Sequence, residues 1–219
     1  MEILLALIDF ILHIDAHLSD LIRDHGAWIY AILFLIIFVE TGLVVMPFLP
    51  GDSLLFVAGA FAARGDMNLA LLMALLAAAA ILGNTSNYWI GRYFGPRVFQ
   101  WESSKFFNKS AFEKAHTFYE KHGAMTIIVT RFLPFLRTFS PFVAGVAAMT
   151  HPRFQAYNIA GGLLWIVSLT LAGYFFGNIP WVRANLTLII LALIIIPGLP
   201  AAFVAVREWR RARAVRRNA

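Results

Sequence analysis

From Leu69 to Gly91 the chain carries no Asp, Glu, Lys or Arg, and the same holds from Phe154 to Val182 and from Ala184 to Val206. About 20 apolar residues are enough for a helix to cross the hydrocarbon core of a bilayer. Runs of this length and apolarity read as spanning helices. The sequence therefore predicts an all-α integral membrane protein. Composition agrees: 60% of the 219 residues are hydrophobic and 14% are charged, whereas soluble domains have roughly 45–50% and about 25%.

The remaining charge is unevenly spread. Lys and Arg concentrate in Arg92 to Lys121 and in the tail Arg207 to Arg217, while before Arg64 the only basic residue is Arg23. Cytoplasmic loops collect Lys and Arg, and anionic headgroups attract them. The pI near 10 is thus a membrane-flanking signal, and with no recognised binding motif beside it the expectation is no nucleic-acid partner. The absence of cysteine excludes disulfides and thiolate chemistry. The first residues lack a basic stretch and a small-residue cleavage site, so no cleaved signal peptide is expected.

A single membrane domain over residues 1–219 is expected, with a repeated order. Residues 1–26 form an amphipathic helix, because Asp9, His13, His17, Asp20 and Asp24 recur at three- and four-residue steps. His13 and His17 have metal-ligand spacing, but a wet helix face accounts for the stripe, and no metal site or cofactor is assigned. Residues 27–64 form a first hairpin that enters and leaves the membrane on one side, broken at Pro47, Pro50 and Gly51. Its second arm is too short to span at 1.5 Å per residue. Residues 69–93 span. Residues 94–123 form a cytoplasmic loop holding a second amphipathic helix. Residues 124–148 form a second hairpin, with Pro134 and Pro141 as its breaks. Residues 156–177 and 185–206 span, and 207–219 are a basic cytoplasmic tail.

Local matches support two halves of one plan. DHGAWIYAI precedes the first hairpin and KHGAMTIIV the second. FLP and FVAG occur in both hairpins, and the spans that follow end in GRYFG and GYFFG. One span separates the halves, so they point in opposite directions. Paired broken helices in inverted repeats are a transporter signature, with the site where the breaks meet.

Charge inside the apolar body marks that site. A charged side chain at the bilayer centre costs roughly 2.5–3.5 kcal/mol on insertion scales. Glu40 and Asp52 lie in one hairpin, Arg131 and Arg137 in the other. Static ion pairing between hairpins is one reading, although buried pairs stabilise poorly compared with apolar packing. The other makes Arg131 and Arg137 receptors for an anionic head, since guanidinium matches phosphate in a bidentate way. Glu40 and Asp52 would then couple protons to it. Asn84, Asn87 and Tyr88 form a polar patch that is a candidate lining, with interhelical hydrogen bonding as the plainer reading; Asn158 and Trp165 fall under the same reading. Gly161 and Gly162 permit close helix approach. No nucleophile–base set, metal signature or phosphate-binding loop is present, so an enzyme is not expected.

ETGLVVMPFLPGD, from Glu40, and RFLPFLRTFSPFVAG, from Arg131, resemble the two signatures of the DedA family of bacterial inner-membrane proteins, also called SNARE-associated or VTT-domain proteins. The resemblance covers nearly the whole chain. It implies two opposed re-entrant hairpins and lipid translocation, linked in bacterial members to undecaprenyl phosphate recycling and in eukaryotic relatives to phospholipid scrambling, with dependence on the proton motive force in some members. The family's acids match Glu40 and Asp52, and its arginines match Arg131 and Arg137. Asn84 departs from the aspartate that close relatives can carry, which leaves any proton coupling to Glu40 and Asp52. The expected partners are membrane lipids (undecaprenyl phosphate or an anionic phospholipid) and protons. The expected location is the bacterial inner membrane with the C-terminus cytoplasmic. A coupled transporter of a soluble solute and an envelope-integrity scaffold are the alternatives. Substrate, direction and oligomeric state are not legible from the sequence.

Overall fold

A computed structural model describes residues 18–21, 26–43, 51–98, 125–185, 188–189 and 191–192. Among the described residues the regular structure is helical, with no strand. Seven helices are followed here: α1 (Trp28–Gly42), α2 (Gly51–Ala63), α3 (Leu69–Val98), α4 (Met125–Thr130), α5 (Pro134–Val146), α6 (His151–Phe176) and α7 (Pro180–Ala184). Two stretches are long and apolar enough to cross a membrane, Leu69–Phe94 of α3 and His151–Phe176 of α6. Pro47 and Pro50 lie outside the described residues. So do nearly all of the expected amphipathic helix over 1–26, most of the loop over 94–123, most of 185–206 and the tail over 207–219.

Both long helices outrun their expected bounds, for local reasons. Asn68 caps α3: its Oδ1 accepts the Leu71 backbone N–H at 3.0 Å, satisfying one of the donors orphaned at a helix start. The helix then passes Tyr93, Gly95 and Pro96 and ends at Val98. Proline removes only its own i→i−4 bond, and so close to the end little helix remains to be disturbed. Helix α6 starts at His151, ahead of the expected Ala156, with Pro152 in its first turn. A proline there costs nothing, because its missing N–H would have had no helical partner.

The break of the second apolar hairpin is placed differently from the expectation. Arg131 to Leu133 form the turn between α4 and α5, and Pro134 opens α5 from an extended Leu133. Pro141, read from the sequence as part of the break, lies inside α5. An interior proline loses a backbone bond and crowds the carbonyl four residues back, at about 3 kcal/mol or more; the helix runs through it with both neighbours, Ser140 and Phe142, buried in the packing.

The helices interlock through glycines. At the α2–α6 crossing, a Cβ on Gly59 would collide with the Thr170 carbonyl, and one on Gly173 with the Phe56 carbonyl. At the α3–α5 crossing, a Cβ on Gly145 would collide with the Tyr88 carbonyl, and one on Gly91 with the Phe142 carbonyl. Both crossings thus use FVAG from a short helix, with its phenylalanine carbonyl over a glycine of a long helix. Such small-residue contacts bring backbones close where lipid supplies no hydrophobic drive. Helix α1 packs on α3 in the same manner, with Gly83 beneath Thr41 and Phe38. One core joins α1, α2, α3 and α6 around Leu33, Leu55, Leu72 and Trp165, and a smaller one gathers Tyr88, Ile127, Ala144 and Phe154.

Candidate functional site

The two short-helix pairs carry their charges to one place. Glu40 sits in the last turn of α1 and Asp52 in the first turn of α2. Arg137 lies early in α5 and Arg131 in the turn before it. Glu40, Arg131 and Arg137 are all buried. Helix ends explain the placement: a side chain at a break can turn inward where the backbone no longer shields it, and broken backbone at membrane depth must itself be buried in protein or line a cavity.

Arg137 bridges both acids. One terminal nitrogen, Nη2, donates to Glu40 Oε1. The other, Nη1, donates to Asp52 Oδ1 at 2.6 Å. The planar guanidinium fork suits such a division between two acceptors. The second oxygen of Glu40, Oε2, is buried with no hydrogen-bond partner. It faces Gly51, where any Cβ would collide with it. Gly51, expected as part of the break, therefore also makes the space that Glu40 occupies.

Trp165 of α6 completes this cluster. Its Nε1–H donates to Asp52 Oδ1 at 2.9 Å, and its ring lies 5.1 Å from the Arg137 guanidinium carbon. The indole face attracts the cation while its edge binds the anion.

Arg131 is held without any acid among the described residues. Its Nη2 donates to Asn158 Oδ1, with the Asn158 carbonyl at 3.3 Å and the Ala80 carbonyl at 3.5 Å. Its Nε is buried and unpaired. Gly161 and Gly162 leave room for it, since a Cβ on either would come within 3.4 Å of the arginine side chain. Asn158 is itself fixed by donating to the Ile81 carbonyl at 3.1 Å and to Gln155 Oε1 at 3.0 Å.

The expected polar patch divides. Asn87 belongs beside the site: its Nδ2 donates to the Thr138 carbonyl of α5 at 2.7 Å and to the Thr41 carbonyl of α1 at 3.3 Å. One side chain of α3 thereby ties the end of one short-helix pair to the other, and its own Oδ1 is buried without a partner. Asn84 is buried on α3. Tyr88 turns to the smaller core, stacked on Phe154 at 4.4 Å with its hydroxyl donating to the Met149 carbonyl at 2.5 Å.

Asn158 and Trp165 were read from the sequence as interhelical hydrogen-bond partners, and they are that, but the partners are the site's own charges. The signal lay in their spacing. Asn158, Gly161, Gly162 and Trp165 follow i, i+3, i+4, i+7, one face of a helix. That face pairs two polar side chains with two glycines in an otherwise apolar span, and all four are buried.

Residues 49–175 match the VTT domain, and the chain belongs to that family, the DedA family of membrane proteins. It is 53% identical to Protein DedA of Escherichia coli strain K12, over 97% of this chain and 98% of that one. It is 44% identical to the uncharacterized membrane protein Rv0364 of Mycobacterium tuberculosis, over 85% and 81%. It is 39% identical to the inner membrane protein YqjA of Escherichia coli, over 69% of each. No solved structure matches the chain.

Proposed function

We propose that this membrane protein is a carrier that moves the anionic head of a lipid, undecaprenyl phosphate or a phospholipid, across the bacterial inner membrane with proton coupling. The observation that carries the reading is the shared arginine. Arg137 lies between two carboxylates brought from separate short helices, and a second buried arginine has no acid of its own among the described residues. A fixed structural pair would need one acid and one base. Two cations and two anions with unequal pairing form a set in which an incoming phosphate can replace a carboxylate on guanidinium, by the same bidentate chemistry. Protonation of Glu40 or Asp52 removes the competing anion, so proton and substrate are linked through Arg137.

Two further features support the carrier architecture. Helix α1 has 15 residues and α2 has 13; at 1.5 Å per residue these reach only about 20 Å, short of the roughly 30 Å hydrocarbon core. That favours re-entrant hairpins over spans. The equivalent glycine crossings favour an inverted repeat in which the second arm of each hairpin packs on the long helix of the other half. Basic flanks favour a cytoplasmic C-terminus, and a relative is named an inner membrane protein.

The test is headgroup translocation of undecaprenyl phosphate in proteoliposomes under an imposed pH gradient, comparing wild type, Glu40→Gln and Arg131→Ala after each is shown to fold. Transport that follows the gradient and is lost in both variants is the expected result. Transport indifferent to the gradient would make the protein a scramblase. No transport by folded wild type would remove this substrate.

A further inference from the structure

Glu40 and Asp52 share Arg137 but not their surroundings. The Glu40 side chain is 1% exposed and Asp52 16%. Glu40 is enclosed between Arg137 and Gly51, where no side chain fits. Asp52 is held from two sides, by Arg137 Nη1 at 2.6 Å and by Trp165 Nε1 at 2.9 Å, both on the same oxygen, Oδ1. An anion that takes Nη2 would leave Glu40 Oε1 without the Arg137 donor that holds it. One that takes Nη1 would leave Asp52 with the indole N–H still in place. The same indole keeps its face on the guanidinium at 5.1 Å, so the cation also stays in position when a carboxylate departs.

We propose that Trp165 is a positioning residue that makes Asp52 the exchangeable partner of Arg137 and leaves Glu40 as the fixed one. Trp165 stands on α6, the long helix that also carries Asn158, the partner of Arg131. Its two-turn spacing from Asn158 sets both arginines against one rigid face. The indole retains the displaced carboxylate, so the anion enters without stranding a buried charge, a cost that otherwise opposes exchange. The inference rests on the carrier reading above.

The test pairs Trp165→Phe, which keeps the ring face and removes the N–H, with each acid in turn. Thermal unfolding in detergent is measured for Trp165→Phe in wild-type, Asp52→Leu and Glu40→Gln backgrounds. The indole hydrogen-bond band is read by ultraviolet resonance Raman, as the difference between each background and its Trp165→Phe form. Translocation of undecaprenyl phosphate is measured in phosphatidylethanolamine–phosphatidylglycerol proteoliposomes. Trp165→Phe is expected to lower the unfolding midpoint in wild type and in Glu40→Gln but not in Asp52→Leu, which has no acceptor for the indole. The hydrogen-bonded indole band should vanish in Asp52→Leu and persist in Glu40→Gln. Translocation should fall about ten-fold, the loss of one hydrogen bond to a charged group. Equal effects in all three backgrounds, or an indole band indifferent to Asp52, would overturn the assignment while leaving the carrier reading intact. If Trp165→Phe does not fold, the Asp52→Leu and Glu40→Gln spectra against wild type decide alone. No translocation by folded wild type would end the carrier reading and this inference with it.

Discussion

Arg131 and Arg137 stand six residues apart in one short stretch, yet each solves the problem of a buried cation differently. Arg137 is neutralised by ions: Glu40 and Asp52 take its two terminal nitrogens, and an indole covers its face. Arg131 is solvated by dipoles: Asn158 and the Ala80 carbonyl face it, two glycines make room, and Nε stays unpaired. The first arrangement is neutral or negative around its arginine, and an entering anion must compete there. The second leaves a standing positive charge, which an anion meets without competition. Residue type is the same; what differs is what each one faces, the ends of α1 and α2 for Arg137 and the flanks of α3 and α6 for Arg131. On the proposed carrier reading, two arginines with unequal partners would divide the work, one attracting a head and the other exchanging it.

Breaking the ionic arrangement should cost most. Arg137→Ala leaves the buried Glu40 and the partly buried Asp52 without their shared cation, and removing one partner of a buried pair destabilises by about 3–5 kcal/mol. Thermal or chemical unfolding in detergent checks this, and Arg137→Ala/Glu40→Gln should recover part of the loss. A variant as stable as wild type would mean the acids hold no unpaired charge. Next come the crossings that bring the two arginines together. Gly173→Ala drives a methyl group into the Phe56 carbonyl, and Gly91→Ala drives one into the Phe142 carbonyl. Each should destabilise by about 3 kcal/mol, the upper end for overpacking, and by similar amounts. A large inequality would show that the two crossings are not equivalent.

Arg131→Met sharpens the contrast directly. It removes a cation that has no acid and leaves the Asn158 oxygen without its donor, so stability should change by only about 1–2 kcal/mol. Lipid translocation should nevertheless be lost. Unfolding and transport measured on one preparation separate the two effects. The smallest effect belongs to the end of α5, where Ala148 takes a left-handed conformation with φ of 55°. Its N–H bonds the Gly145 carbonyl at 3.0 Å, and the Met149 N–H bonds the Ala144 carbonyl at 3.1 Å, a helix stop that favours glycine. Ala148→Gly should stabilise by about 0.5–1 kcal/mol, visible as a small rise in the unfolding midpoint. It should leave both arginines undisturbed.

Much of this was legible before any coordinates. Uncharged runs longer than a bilayer announce helices in a membrane, because no other open structure satisfies its backbone there. Four charges in so apolar a chain announce a site, because each is costly unless used or paired. Glu40, Asp52, Arg131 and Arg137 are identified on that ground alone. Pro141 shows the limit of local reading. A proline weakens one bond of a helix, and whether the helix continues depends on what packs beside it, so the break fell at Arg131–Leu133 instead. Tyr88 shows the same limit: polar neighbours on one helix can face different cores.

Pairing was beyond the sequence altogether. Either acid might be matched with either arginine on composition, since charge has no address. The tertiary structure gave both acids to Arg137 and none to Arg131, because the glycine crossings fix how far each short helix slides along its long one. That register, set by backbone contacts between residues more than 50 positions apart, put Trp165 under Arg137 and Asn158 beside Arg131. The amino-acid order alone determined that buried charges exist and must be satisfied. Which groups satisfy them was decided by backbone packing between distant segments, where the separation of two carbonyls from two glycines leaves room for one arrangement.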